Sequence, residues 1–232
     1  MNAPHARTPL AVSWSGGKDS TLMLEALLDD PAFEVVALLT TVSSVYDRIS
    51  IHGVRRTILH RQAASLGLPL HEVTLGATSS NDDYEAAFAA GLRELAHAYA
   101  GLRTMAFGDL FLEDVRAYRE QLLTRHGWQG VYPLWGRPTD VLAQYFVGRG
   151  YEAYLSCVDT QQLAERFVGR RYDADLLAEL PASCDPCGEQ GEFHTCVVDG
   201  PIYRARIPVV TGERVLREQR FAYCDLVELP TP

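Results

Sequence analysis

Residues 10–28 read Leu10-Ala11-Val12-Ser13-Trp14-Ser15-Gly16-Gly17-Lys18-Asp19-Ser20-Thr21-Leu22-Met23-Leu24-Glu25-Ala26-Leu27-Leu28. The opening apolar run, Leu10–Ser13, has the length of a buried strand, and Thr21–Leu28 reads as the helix after it. Residues 13–20 therefore form a strand-to-helix junction. A helix N-terminus presents unpaired N–H groups and a partial positive charge, so it attracts phosphate. Gly16 and Gly17 lack Cβ and let the backbone approach an anion closely. Ser15 and Ser20 add hydroxyl donors. Lys18 adds a full charge that can follow a departing phosphate, and Asp19 either caps the helix or helps hold a magnesium ion.

The same pattern repeats outward from this unit. Phe33–Thr40 reads as a strand and Val54–Leu66 as a helix. Leu70–Leu75 precedes the Ala-rich helix Asp82–Tyr99, and Thr104–Phe107 precedes Asp114–His126. Gly130–Leu134 precedes Asp140–Val147, and Tyr151–Val158 offers a sixth strand. Strands alternating with helices need right-handed crossovers, which give a parallel sheet covered on both faces. The expected fold class is α/β, a doubly wound parallel sheet. Near Gly148-Arg149-Gly150 the pattern changes to two short helical pieces and a Cys/Gly/Pro-rich loop from Pro181 to Gly191. Strands with turns at Asp199-Gly200 and Thr211-Gly212 follow. This predicts a smaller α+β C-terminal subdomain and divides the chain into residues 1–148 and 149–232.

Of the 232 residues, 47% are hydrophobic and 22% charged, which excludes wholesale disorder and suits one ordinary domain with an appendage. The net charge of −9 argues against general nucleic-acid binding. Among 21 basic residues, Lys18 is the single lysine. A drift toward arginine codons explains the arginines but not the one lysine that remains. Lysine differs from arginine where a compact point charge is needed rather than a planar fork, so position 18 is the first suspect for chemistry. Met1–Pro9 has no apolar core, so no signal peptide is expected, and runs such as Val35–Leu39 are far too short to span a membrane. Five cysteines, Cys157, Cys184, Cys187, Cys196 and Cys224, are odd in number and too few for a disulfide framework, which points to a reducing cytoplasm.

Two familiar phosphate loops do not fit. The Walker loop needs four residues between its first glycine and its Gly-Lys pair, and the dinucleotide fingerprint Gly-x-Gly-x-x-Gly is absent. The Ser-Gly-Gly-x-Asp-Ser pattern resembles the loop of the ATP pyrophosphatase (PP-loop) superfamily, whose members cleave ATP between the α- and β-phosphates. A second segment narrows the resemblance. Residues 185–201 read Asp185-Pro186-Cys187-Gly188-Glu189-Gln190-Gly191-Glu192-Phe193-His194-Thr195-Cys196-Val197-Val198-Asp199-Gly200-Pro201. Together with the loop, this is similar to the diphthine–ammonia ligase family, which carries asparagine where this chain has Gln190. Gly108-Asp109-Leu110, Glu113-Asp114-Val115-Arg116 and Pro133-Leu134-Trp135 agree, so the resemblance spans roughly Ala11 to Tyr203.

The resemblance implies a PP-loop fold and an AMP-forming reaction. A carboxylate attacks the α-phosphate of ATP, pyrophosphate leaves, and ammonia displaces AMP to give an amide. It implies ATP and Mg²⁺ as cofactors and ammonia as a partner. The acceptor is diphthine on elongation factor 2 where the host makes diphthamide, and another carboxylate in bacterial relatives, some of them linked to corrinoid salvage. Ser15, Gly16, Gly17, Lys18, Asp19 and Ser20 are expected to bind the pyrophosphate, with Lys18 stabilising its developing charge. Gly108 and Asp109 end a strand at its carboxyl edge, where open sheets bind ligands. Asp19, Asp109 and Asp114 are candidate Mg²⁺ ligands beside Glu113, Arg116 a phosphate partner, and Thr40 with Leu39 an adenine contact. Asp114 and Glu113 read equally well as favourable acidic residues at a helix start.

Glu189, Glu192 and His194 are the candidate acceptor-side catalytic residues. A carboxylate there holds and deprotonates ammonium, and His194 shuttles a proton near neutral pH. His52, which with Gly53 precedes the second helix, is expected to line the acceptor pocket, whereas Arg55-Arg56 and Arg170-Arg171 read as solvated faces. Cys184 and Cys187 have zinc-ligand spacing, but the irregular second half makes structural zinc the weaker reading. A homodimer remains open and no membrane or nucleic-acid partner is expected. Two other classes stay in view: thiolation of tRNA by a related enzyme, and a nucleotide-sensing module that binds ATP without cleaving it.

Overall fold

The computed structural model describes residues 6–44, 48–49, 53–76 and 80–229. In chain order the first part comprises β1 (Thr8–Ser13), α1 (Lys18–Asp29), β2 (Phe33–Ser43), β3 (Arg48–Ile49), α2 (Arg56–Leu66), β4 (Leu70–Leu75), α3 (Asn81–Ala98), β5 (Thr104–Ala106), α4 (Glu113–Arg125), β6 (Gln129–Val131) and α5 (Thr139–Gly148). Five of these strands are parallel, in the spatial order β4-β2-β1-β5-β6. Tiny β3, unanticipated from the sequence, pairs antiparallel with the end of β2. Alternation along β1 explains the two-sided cover. Leu10 and Val12 enter a core with Leu22, Leu24, Ile58 and Phe146 from α1, α2 and α5, while Ala11 enters a second core with Phe88 and Leu92 of α3 and Leu122 of α4. The sheet is doubly wound, as the sequence predicts.

The second part comprises β7 (Glu152–Asp159), α6 (Ala174–Glu179), β8 (Phe193–Asp199), β9 (Val209–Arg217) and β10 (Phe221–Glu228). Its four strands form a separate antiparallel sheet, β8-β7-β10-β9. The sixth strand expected at Tyr151–Val158 therefore exists as β7 but belongs to this second sheet. A run buried on both faces suits the middle of either sheet, and periodicity alone cannot choose between them. The turn expected at Thr211-Gly212 is also corrected, because both residues lie within β9. The hairpin turns at Glu218 and Gln219, both at φ 52°. That is the left-handed backbone of a primed turn, carried here without the Asn or Gly that would have announced it.

The second sheet shares the α1/α2/α5 core: Leu155, Phe193, Val197 and Leu226 pack in one cluster with Leu10, Leu24 and Ile58. Asp225 of β10 adds a polar tie, accepting hydrogen bonds from Arg48 at 2.8 Å and Arg55 at 2.9 Å. Arg56 pairs with Glu72, and Arg170 with Glu179. Reading these arginines as merely solvated is thus incomplete. No helix among the described residues is long and apolar enough to cross a membrane.

Candidate active site

From β1 the chain winds to β2 and β4 on one side, and β5 and β6 lie on the other. The carboxyl ends of β1 and β5 therefore flank the topological switch point, where an open α/β sheet leaves a crevice. Residues 14–17 leave β1 into this crevice, and residues 107–112 leave β5 into it. Gly16 sits at φ 75°, and a Cβ there would lie 2.4 Å from Gln62 Oε1. A Cβ on Gly108 would lie 3.1 Å from the backbone C and O of Asp19, so the loop after β5 rests directly on the first turn of α1. Glycine is needed at both positions, once for conformation and once for close approach.

Helix α1 starts at Lys18 with no side-chain cap of its own. Its cap comes from 177 residues away, where Thr195 Oγ1 on β8 accepts the Lys18 N–H at 3.0 Å. Two residues further along β8, the Val197 N–H donates to the Gly16 carbonyl at 2.9 Å. Ser15 Oγ bonds Ser20 Oγ at 3.2 Å, and Ser20 Oγ donates to the Gly17 carbonyl at 2.9 Å, which tightens the loop from within. Intrahelical geometry leaves the N–H groups of Asp19 and Ser20 for a ligand. At the end of β2, Thr40 Oγ1 is buried without a hydrogen-bond partner among the described residues. An anion cradle beside an orphaned buried hydroxyl fits a nucleotide.

Lys18 is only 2% exposed. Its Nζ lies 2.7 and 2.8 Å from the two Asp19 carboxylate oxygens and 5.9 Å from the centre of the Phe193 ring. Burial opposes its charge, but Asp19, Cys187 and Glu189 outweigh burial and hold its pKa above the ordinary lysine value. Glu189 Oε1 accepts the Leu110 N–H at 2.8 Å, so it too reaches the crevice. Burial, aided by the charges of Asp19 and Asp109, pushes the Glu189 carboxyl up to about 7 against the pull of Lys18 and the Leu110 N–H. Burial also raises Asp109, although Arg119 pairs with it at 2.8 Å. One lysine and three carboxylates thus converge from the loop after β1, the loop after β5 and the segment before β8.

That last segment is built around two acids. The Asp185 carboxylate accepts the N–H of Cys187 at 2.8 Å and the Thr139 hydroxyl at 2.7 Å. Glu192, 1% exposed, accepts the N–H groups of Asp185 at 2.8 Å and Gln190 at 2.9 Å. Both Glu192 oxygens are therefore occupied by the turn that presents Glu189. His194 follows, and burial together with Lys18 pushes its pKa down to about 4. That shift favours the neutral imidazole over the imidazolium.

Other expected residues lie apart from this cluster. Asp114 and Glu113 are exposed in the first turn of α4, where the acidic helix-start reading accounts for them. Arg116 donates to Glu120 at 2.8 Å, and its guanidinium lies 4.7 Å from the Tyr132 ring and 4.6 Å from the Trp135 ring, not on the loop. His52 lies outside the described residues, and Gly53 packs against Tyr223. All five cysteines are reduced and buried, and no group of three metal-binding side chains occurs among the described residues. Asp19 and Asp109, on the turn and the loop that rest on each other, are the carboxylates here that could hold a divalent cation. Sequence reasoning missed Thr195, Gln62 and Asp185 as parts of the site. Asp185-Pro186 was legible as a turn opener; Thr195 and Gln62 act across long separations and carry no local signal.

The chain matches known sequences along both of its parts. The diphthamide synthase N-terminal domain matches residues 8–129, and the diphthamide synthase C-terminal domain matches residues 138–228. A diphthine–ammonia ligase of Schizosaccharomyces pombe is 25% identical over 229 residues, an alignment covering 91% of this chain but 38% of that protein. The chain thus spans well under half the length of this relative. With the N-terminal match alone covering more than half of its residues, the chain belongs to the diphthamide synthase family.

Proposed function

We propose that this protein is an ATP-dependent amide ligase that activates a substrate carboxylate as its adenylate and transfers it to ammonia. The observation that carries this reading is geometric: the loop after β5 rests on the turn that holds Lys18 and Asp19, and Glu189 from the segment before β8 bonds that same loop at the Leu110 N–H. Ser15, Gly16, Gly17 and Ser20 shape the cradle for the β,γ-phosphates, and the N-terminus of α1 supplies its positive field. Lys18 exchanges its Asp19 partner for phosphate and stabilises the charge that develops as the α–β bond breaks. Mg²⁺ would supply further charge neutralisation on the phosphates, met by Asp19 and Asp109. Thr40 Oγ1 offers a hydrogen bond on the nucleoside side.

Glu189 serves the second half-reaction. Ammonium must lose a proton before its nitrogen can attack the adenylate, and a carboxyl titrating at about 7 can take that proton at neutral pH. Glu192 positions Glu189 by holding the Asp185 and Gln190 N–H groups of the turn that carries it. His194 contributes a neutral imidazole beside Lys18. The proposed acceptor is a carboxylate of the diphthine kind on a protein, by analogy with the named activity of the fission-yeast relative. Five reduced cysteines suit a cytoplasmic setting.

The test is a product assay. The purified chain is incubated with ATP, Mg²⁺, ammonium and diphthine-bearing elongation factor 2, and nucleotides are separated. AMP and pyrophosphate formed in step with the amide support the proposal; ADP as the product refutes it.

A further inference from the structure

Gln62 of α2 is fully buried, and its side-chain amide is completely engaged. Its Oε1 accepts the Trp14 indole N–H at 3.0 Å. Its Nε2 donates to the Gly16 carbonyl at 2.9 Å and to the Val197 carbonyl at 2.7 Å. A single amide therefore touches the residue after β1, the phosphate loop and the second sheet. Two carbonyl acceptors fix which end is the NH₂, and the indole donor fixes the other.

The Gly16 bond matters because a trans peptide is planar, with its C=O and the next N–H pointing in opposite directions. Holding the Gly16 carbonyl toward Gln62 and Val197 turns the Gly17 N–H toward Ser15 Oγ, 3.3 Å away, on the opposite side. A peptide between two glycines is also the one most free to flip, since neither side has a Cβ to resist. If it flipped, the Gly17 N–H would leave Ser15 Oγ and a carbonyl oxygen would take its place on that face of the loop.

We infer that Gln62 is a positioning residue for the pyrophosphate subsite, acting by locking the Gly16–Gly17 peptide with its N–H on Ser15 Oγ and its carbonyl oxygen turned away from the phosphates. The inference rests on the proposed ATP-dependent function. It adds a determinant outside the loop and assigns it to the β,γ-phosphate end of the ligand rather than to the nucleoside end.

The experiment measures binding of Mg-pyrophosphate, α,β-methylene ATP and AMP to the whole chain by calorimetry. Gln62→Leu keeps the volume and removes both donors. It is expected to weaken pyrophosphate and α,β-methylene ATP by about tenfold or more, the scale of losing one oriented donor, while AMP changes by less than about twofold. Gln62→Glu supplies a readout that a packing role would not move. Its ionised carboxylate faces two carbonyls and cannot donate, but its protonated form can. Pyrophosphate affinity relative to the unmodified chain at the same pH should therefore recover as the pH falls from 8 to 5.5. Trp14→Phe removes the indole donor together with part of a buried ring and should cost pyrophosphate about two- to fivefold. It serves if the Gln62 variants do not fold. Unchanged pyrophosphate binding in a folded Gln62→Leu or in Trp14→Phe overturns the inference, as does an equal loss for AMP. Failure of the unmodified chain to bind α,β-methylene ATP overturns the functional reading instead.

Discussion

Replacing Thr195 with valine tests whether the second sheet caps the phosphate-loop helix. Valine matches threonine in shape, so the substitution deletes one hydroxyl and little else. The deleted oxygen accepts the Lys18 N–H at 3.0 Å in a buried setting, and α1 has no other side-chain cap. Losing a helix cap costs about 1 kcal/mol, and a buried N–H left unpaired carries a penalty of about 1–3 kcal/mol, so a loss of about 1–2 kcal/mol is expected. For a chain of this size, each kcal/mol lowers Tm by about 2–4 °C. Urea unfolding followed by far-UV circular dichroism gives the free energy, with Thr195→Ser as the control that keeps the hydroxyl. The serine variant should recover most of the loss. If the valine variant matches the unmodified chain, or if serine and valine are equally destabilised, the distant cap does not hold this helix.

Three further outcomes follow from the site. Lys18→Arg keeps the charge but forces a planar fork into a space where Nζ is already enclosed by Asp19 and Phe193; turnover should fall on the order of a hundredfold, checked by pyrophosphate release, and normal turnover would remove the special role of lysine. Glu189 has a folded pKa of about 7, above its unfolded value, so its contribution to stability is fully present below about pH 4.5 and is lost as the pH rises through 7; Glu189→Gln should flatten that part of the stability profile in urea titrations and abolish the neutral-pH limb of amide formation. Gly108→Ala would bring a Cβ to 3.1 Å from the Asp19 backbone, so ATP affinity should drop about tenfold by calorimetry while the far-UV spectrum stays native.

The parallel sheet was legible because each of its strand–helix units carries its own period, and Leu70–Leu75 even has the boundaries read from sequence. The strand-to-helix junction at residues 13–20 was legible for a related reason: its serines, glycines and lysine are consecutive in sequence. What stayed hidden depends on contacts between distant positions. The Tyr151–Val158 run could join either sheet until its antiparallel neighbours were known. Glu192 looked as available as Glu189 until Asp185 and Gln190 were seen to occupy its oxygens. The downward push on the His194 pKa likewise comes from burial and from Lys18, neither of which can be read from its sequence neighbours.

The cap that Thr195 gives to α1 also sets an order of events during synthesis. The Lys18 N–H is made 177 residues before its acceptor. At about 5–20 residues per second, a ribosome leaves the loop uncapped for roughly 10–35 s. Through that interval the nascent chain has the Ser-Gly-Gly-Lys-Asp-Ser segment but neither the Thr195 hydroxyl nor the Val197 partner of Gly16. The first turn of α1 is therefore completed only when β8, of the second sheet, has been made.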